Sequence, residues 1–282
     1  MLYKHLANKV SIMNKKKNIT SVLTIAGSDS CGGAGIQADL KTFLSIGVYG
    51  SSVITSITAQ NTTKVKNVYN LPLSIIEDQF ESVMEDLFIK NIKIGMLSSI
   101  DIVVTVEKLI SKYPLENIVL DPVMVSESGC ILLENNAIST LKKILIPKVN
   151  IITPNIKEAE VLSGININSI NDVKNAAFEI SKLGPRYIII KGGHLKGEDL
   201  LYDSKENIYK IYHGKYINNS KFGYHGTGCT YSSALLSYLE LEKSIEDSCK
   251  LAKKFVLDGI INAKKVGKGS IPVNQKIDNF IH

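Results

Sequence analysis

Short apolar runs alternate with longer stretches whose apolar positions recur every third or fourth residue, and this alternation sets the expected architecture. VLTIAG (22–27) reads as a buried strand, and the helix after it carries Ile36, Leu40, Phe43 and Leu44 on one stripe. YGSSVITSITAQN (49–61) is β-rich, and TKVKNVYNL behind it alternates like a half-exposed strand. Next come a helical pattern at 74–88, the strand NIKIGML, a helix at 101–112, the strand NIVLDPV and a helix at 134–145. VNIITP is a strand closed by Pro154, followed by helical patterns at 156–163 and 171–183 and the strand YIIIKGG. Two or three short strands are expected within 199–218, and two helices, 228–241 and 245–264, close the chain. Strands alternating with amphipathic helices predict an α/β fold, a mostly parallel sheet covered on both faces. No repeat or linker divides it, so residues 21–282 read as one domain behind a disordered basic leader, 1–20.

Charge changes little in that picture. The net charge is +6, but Lys4, Lys9, Lys15, Lys16 and Lys17 all precede the first acid, Asp29. The body is almost neutral, which argues against a nucleic-acid partner. Arg186 is the only arginine, so a phosphate clamp must rely on lysines and backbone N–H groups. No apolar run approaches bilayer-spanning length, and no membrane partner is expected. Cys31, Cys130, Cys229 and Cys249 lack CxxC spacing and any disulfide framework, which suits a reducing cytoplasm.

In a sheet of this kind ligands bind beyond the carboxyl ends of the strands. The polar residues gather there: Ser28–Asp29, Gln60–Asn61, Asp121, Asn155 and Lys191–Gly192–Gly193. HGTGCTYSSALLSYL (225–239) is a glycine turn opening into a helix. Unpaired N–H groups and the helix dipole at Gly226, Thr227 and Gly228 favour an anion, and a thiol at the first turn, Cys229, is expected to have a lowered pKa. A plain helix start is the alternative. Gly33-Ala34-Gly35-Ile-Gln-Ala38 fits the dinucleotide fingerprint, but no acid lies between Asp39 and Glu77 to hold a ribose, so a nicotinamide enzyme is set aside. Asp39, on the border of its helix's apolar stripe, needs a partner or a ligand. Gln60 offers an amide that donates and accepts together, which suits an aminopyrimidine edge, though an ordinary loop glutamine does the same with backbone. Asp121 and Glu158 are candidates for magnesium held on nucleotide phosphates, although Asn155-x-x-Glu158 also has capping-box spacing. Lys191, ending an apolar strand, reaches phosphate or snorkels. The P-loop pattern does not occur.

Taken together, TIAGSDSCGGAGIQADLKTF, YGSSVITSITAQNT, IKIGML, VLDPVM, LIPKVNIITPNIKEAE, KGGH and HGTGCT resemble the hydroxymethylpyrimidine/phosphomethylpyrimidine kinases of the ribokinase superfamily, from about Ser21 to Val273. The resemblance implies a three-layer α/β/α sandwich and ATP-dependent phosphorylation, in thiamine biosynthesis, of 4-amino-5-hydroxymethyl-2-methylpyrimidine and then of its monophosphate. It implies a pyrimidine pocket lined by Ala34, Asp39, Thr58, Gln60 and Met96. Cys229 stands where sugar-kinase relatives carry a base, behind an anion hole of Gly226, Thr227 and Gly228. Asp121 and Glu158 match positions near Mg2+, Lys191, Gly193 and Asn155 fall on the ATP side, and a homodimer is implied. Two positions depart from the pattern: Cys31 where serine is usual and Ile271 where glycine is usual. A pyridoxal kinase on the same scaffold and a non-catalytic nucleotide sensor remain the alternatives.

Overall fold

A computed structural model describes residues 20–126, 129–192, 197–214, 217 and 223–276. The leader at 1–19, Gly193 and much of 215–222 lie outside the described residues. The chain opens with β1 (Ser21–Asp29), α1 (Gly35–Ile46), β2 (Tyr49–Gln60), β3 (Val65–Asn70), α2 (Leu73–Asp86) and β4 (Asn91–Ile94). It continues through α3 (Ile100–Ile110), β5 (Asn117–Leu120), α4 (Asn135–Thr140), β6 (Ile151–Ile152), α5 (Ile156–Ser163), α6 (Ile170–Ser181) and β7 (Tyr187–Ile190). β8 (Asp199–Asp203), β9 (Ile208–Tyr212), β10 (Tyr224–His225), α7 (Thr227–Glu240), α8 (Ile245–Ile261) and β11 (Ile271–Pro272) complete it.

One nine-stranded sheet runs in the order β3-β2-β1-β4-β5-β6-β7-β8-β9. β2 through β7 pair in parallel, with antiparallel β3 at one edge and β8 and β9 at the other. Alternate residues of each central strand enter different cores, because successive side chains point to opposite faces. Ile188 and Ile190 join α2 to α6 on one face, while Ile189 joins α1, α7 and α8 on the other. These two apolar layers enclosing a sheet are the expected three-layer sandwich.

Helix starts follow local chemistry. Ser99 Oγ caps Ile102, and Ser169 with Asp172 forms a capping box. The pattern misleads at Leu44, which is 77% exposed: the stripe of α1 that faces the core is Ile36, Ala38, Asp39, Thr42 and Phe43. The expected 134–145 helix is α-helical only to Thr140, after which the backbone widens into a π turn (141–145) and then tightens into a 3-10 turn at Pro147. β10 and β11, two residues each, have no periodicity from which to be read.

Candidate active site

The carboxyl ends of β1, β2, β5, β6 and β7 bring Asp29, Gln60, Asp121, Asn155 and Lys191 to one edge of the sheet. Asp29 organises the glycine loop that follows it. Its Oδ1 accepts from Cys31 N at 2.8 Å, and its Oδ2 accepts from Gly33 N and Ala34 N at 3.0 and 2.9 Å and faces His225 Nε2 at 3.0 Å. Burial alone would raise this carboxyl's pKa, but the bonds from His225, Ala34 and Cys31 outweigh it and hold it below the usual range. Gly35 has a left-handed φ of +56°, and a Cβ there would lie 2.3 Å from Gly27 O.

The second glycine turn packs directly on the first. Gly226 has φ +84°, and a Cβ on it would lie 1.9 Å from Gly33 O. β11 pairs with β10 and so anchors His225 just ahead of the turn. Gly226 caps α7 with no side-chain bond to the first turn, so the N–H groups at Thr227, Gly228 and Cys229 face outward at the positive end of the helix. A Cβ on Gly228 would sit 3.2 Å from Lys191 Nζ and 3.4 Å from Asp121 Oδ2. A side chain would therefore fill this cradle, which presents N–H donors and an ammonium: a fit for a phosphate group.

Lys191 Nζ lies 2.7 Å from Asp121 Oδ1, both largely buried. Burial opposes the lysine's charge, but Asp121 and Glu158 outweigh it and raise its pKa. Glu158 is buried and does form the capping box: Asn155 N donates to Glu158 Oε2 at 2.8 Å, and Glu158 N donates to Asn155 Oδ1 at 2.9 Å. Burial raises the Glu158 pKa to about 7, with Lys191 opposing and Asp121 adding to the rise. Among the described residues no three metal-ligating side chains converge. A magnesium ion on nucleotide phosphates uses one or two carboxylates and keeps its waters, so Asp121 beside Glu158 suits that ion and no all-protein cage.

The pyrimidine-side residues divide. Thr58 is buried, with Oγ1 3.1 Å from Ser28 O. The two ends of the Gln60 carboxamide sit 3.0 Å from His225 Nε2 and 3.1 Å from Thr58 Oγ1. Ser30 Oγ bonds the Gln60 backbone on both sides, N–H at 2.9 Å and C=O at 2.8 Å, tying β2 to the glycine loop. Met96 is buried against Gly27, and Ala34 is partly exposed at the N-cap of α1. Asp39 is different. It has no accessible surface and is held by Lys93, Thr24 and Ser233, so it supports the floor rather than lining the pocket. An acid bonded by three buried donors has no need of a ligand.

Cys229 also departs from expectation. Burial pushes its thiol up to about 11, with Lys93 and a bond from Gly35 N opposing and Asp39 and Asp121 adding to the rise. The helix start does not offset the desolvation. Desolvation therefore favours the neutral thiol.

Three organising residues were not assigned from the sequence. Asp29 stood out only as a polar strand end, and His225 only as part of HGTG. Lys93 had a signal, a lone charge inside the apolar run NIKIGML, which in a buried strand demands a partner. Gly193 lies outside the described residues.

A nine-stranded α/β/α sandwich whose glycine-turn helix start packs on a second glycine loop has the architecture of the ribokinase-like small-molecule kinases. Residues 29–274 match the family model described as Phosphomethylpyrimidine kinase. The chain is 42% identical over 261 residues to the hydroxymethylpyrimidine/phosphomethylpyrimidine kinase of Bacillus subtilis (strain 168), covering 91% of this chain and 95% of that one. The crystal structure of phosphomethylpyrimidine kinase from Clostridium difficile 630 superposes with a TM-score of 0.75 at 47% identity, covering 85% of this chain and 99% of the other. Pyridoxal kinase from Staphylococcus aureus, in complex with pyridoxal, superposes with a TM-score of 0.83 at 35% identity, over 93% and 96% of the two chains. This chain belongs to the phosphomethylpyrimidine kinase family.

Proposed function

We propose that the enzyme transfers the γ-phosphoryl group of ATP to the hydroxymethyl oxygen of 4-amino-5-hydroxymethyl-2-methylpyrimidine, and then phosphorylates the resulting monophosphate to the diphosphate. The observation that supports this most is one of adjacency. Gln60, which offers a donor and an acceptor to an aminopyrimidine edge, touches His225, the residue immediately before the anion-receiving turn. A small heteroaromatic alcohol held at Gln60 therefore presents its oxygen toward the 226–229 N–H groups. In each transfer the acceptor oxygen bonds to the γ-phosphorus while the bond to the β–γ bridging oxygen breaks, and ADP leaves. The N–H groups and Lys191 hold the phosphoryl oxygens as charge spreads over them. Magnesium, when bound next to Asp121 and Glu158, neutralises charge on the ATP phosphates.

The two steps ask different things of the protein. In the first, the hydroxyl loses a proton. In the second, the acceptor is a phosphate monoester already ionised at neutral pH, and needs room and positive charge instead. Because desolvation favours the neutral thiol of Cys229, its part is contact with the acceptor, and the hydroxyl proton passes late in a loose transition state to the transferred phosphoryl group and on to solvent.

The test is to incubate the enzyme with the pyrimidine alcohol and ATP and follow mono- and diphosphate by mass spectrometry. Absence of both products rejects the reading. The likeness to the pyridoxal kinase complex supports a second reading, in which a pyridine aldehyde is the acceptor. Parallel kinetics decide between them, a larger kcat/KM for pyridoxal favouring the second. Among the described residues no helix is long and apolar enough to cross a membrane. A cytoplasmic homodimer is part of this proposal, and light scattering checks the dimer.

A further inference from the structure

The carboxamide of Gln60 lies between two groups whose proton counts are fixed by other bonds, and those bonds decide which way round it is held. With its nitrogen toward His225 and its oxygen toward Thr58, the network meets two conflicts, of which the first is decisive. Asp29 accepts from the N–H groups of Cys31, Gly33 and Ala34, so it is an ionised acceptor, and His225 Nε2, 3.0 Å from Asp29 Oδ2, must carry the proton and donate. A Gln60 NH2 at 3.0 Å from that same Nε2 would set donor against donor. Thr58 Oγ1, meanwhile, has one proton and would face two acceptors, Ser28 O and Gln60 Oε1, each at 3.1 Å. Protonating His225 at its other nitrogen relieves neither conflict, since Nε2 holds one hydrogen in both states.

Reversing the amide, whose two ends are close to isosteric, removes the donor–donor clash and moves the shared proton from Thr58 to His225, where one of the two acceptors is an ionised carboxylate. His225 Nε2–H is then shared between Asp29 Oδ2 and the Gln60 carbonyl as a bifurcated bond, Gln60 NH2 donates to Thr58 Oγ1, and the Thr58 hydroxyl donates to Ser28 O. The geometry points to His225, oriented by Asp29, as the positioning residue that fixes the Gln60 carboxamide with its carbonyl toward His225 and its amino group toward Thr58, and so sets the enzyme's preference for a substrate edge carrying an amino donor beside a ring acceptor. One lone pair and one N–H of Gln60 remain uncommitted, the complementary pair such an edge requires. A glutamine free to rotate would serve an edge with the opposite order of donor and acceptor equally well. The preference for the substrate edge rests on the pyrimidine reading above, but the orientation of the amide does not.

Two measurements test it. Long-range 1H–15N spectra of histidine-labelled wild-type enzyme report the tautomer without substrate: a proton on His225 Nε2 is expected, and a neutral ring with bare Nε2 overturns the assignment. Kinetics then compare the 4-amino pyrimidine alcohol with its 4-desamino counterpart. His225→Leu should lower the preference for the amino compound at least about tenfold, as should Gln60→Ala. The double variant should lose no more than either single one, because the two act as a unit. His225→Gln, whose side-chain amide places a donor near the Nε2 position, should keep the preference within about threefold. Losses that multiply in the double variant, or a His225→Leu enzyme with unchanged preference, overturn the positioning role. A wild-type enzyme with no preference for the amino compound overturns the pyrimidine reading instead, while the tautomer still decides the amide.

Discussion

Lys93 Nζ lies 2.8 Å from Asp39 Oδ2, and neither side chain retains any accessible surface. Thr24 Oγ1 and Ser233 Oγ each donate to the same carboxylate at 2.7 Å, so one acid joins β1, α1, β4 and α7 beneath the anion-receiving turn. Removing one partner leaves the other buried and unpaired, and Asp39→Asn or Lys93→Met is expected to cost about 3–5 kcal/mol in urea unfolding. Asp39→Asn with Lys93→Met should cost less than the sum of the single changes. Additive losses would mean that the pair contributes no coupling.

The two glycines of the turn should respond differently to alanine. Gly226→Ala forces a methyl against Gly33 O at φ +84°, which predicts a stability loss of at least about 1–3 kcal/mol by thermal or urea melting. Gly228 carries no left-handed φ, and its methyl would meet Lys191 and Asp121 instead. Gly228→Ala should therefore fold normally and lower kcat by about a hundredfold, the scale of losing one oxyanion donor. Equal effects of the two substitutions on melting would contradict this division.

Glu158 gives the stability a pH dependence. Burial raises its pKa from 4.5 to about 7, so the unfolded chain releases this proton first. The contribution to stability is full below about pH 4.5 and is lost as pH rises to about 7, a slope worth about 3 kcal/mol if Lys191 does not absorb part of it. Glu158→Gln keeps capping-box spacing and should flatten that part of the profile, leaving the variant more stable than wild type at pH 8. Denaturation at pH 5 and pH 8 measures the difference.

For Cys229, a thiol pushed up to about 11 should react slowly with iodoacetamide at pH 7 and faster as pH rises toward that value, read by mass spectrometry of the peptide containing it. A neutral thiol also predicts that Cys229→Ala lowers both phosphoryl transfers by a similar factor. A loss confined to the first transfer, whose acceptor is a hydroxyl, would instead assign the thiol a proton-accepting role.

Much of this was legible before any coordinates. The layered α/β order followed from apolar runs alternating with amphipathic helices, because burial on both faces of a parallel sheet leaves a signature within each segment. The polar strand ends do share one edge of the sheet, and Asn155-x-x-Glu158 announced its capping box. Leu44 misled because helical spacing places a residue on a stripe without saying how wide that stripe is.

The sequence by itself determined the class of fold, the gathering of polar strand ends at one edge of the sheet and the glycine turn that opens α7, since each is written in residues close together along the chain. Only the tertiary structure decided that Asp39 faces Lys93 rather than a substrate, that desolvation pushes the Cys229 thiol upward, and that His225 lies between Asp29 and Gln60. Those outcomes depend on partners up to 196 positions apart and on how much water the packing excludes, and neither quantity is carried by local spacing.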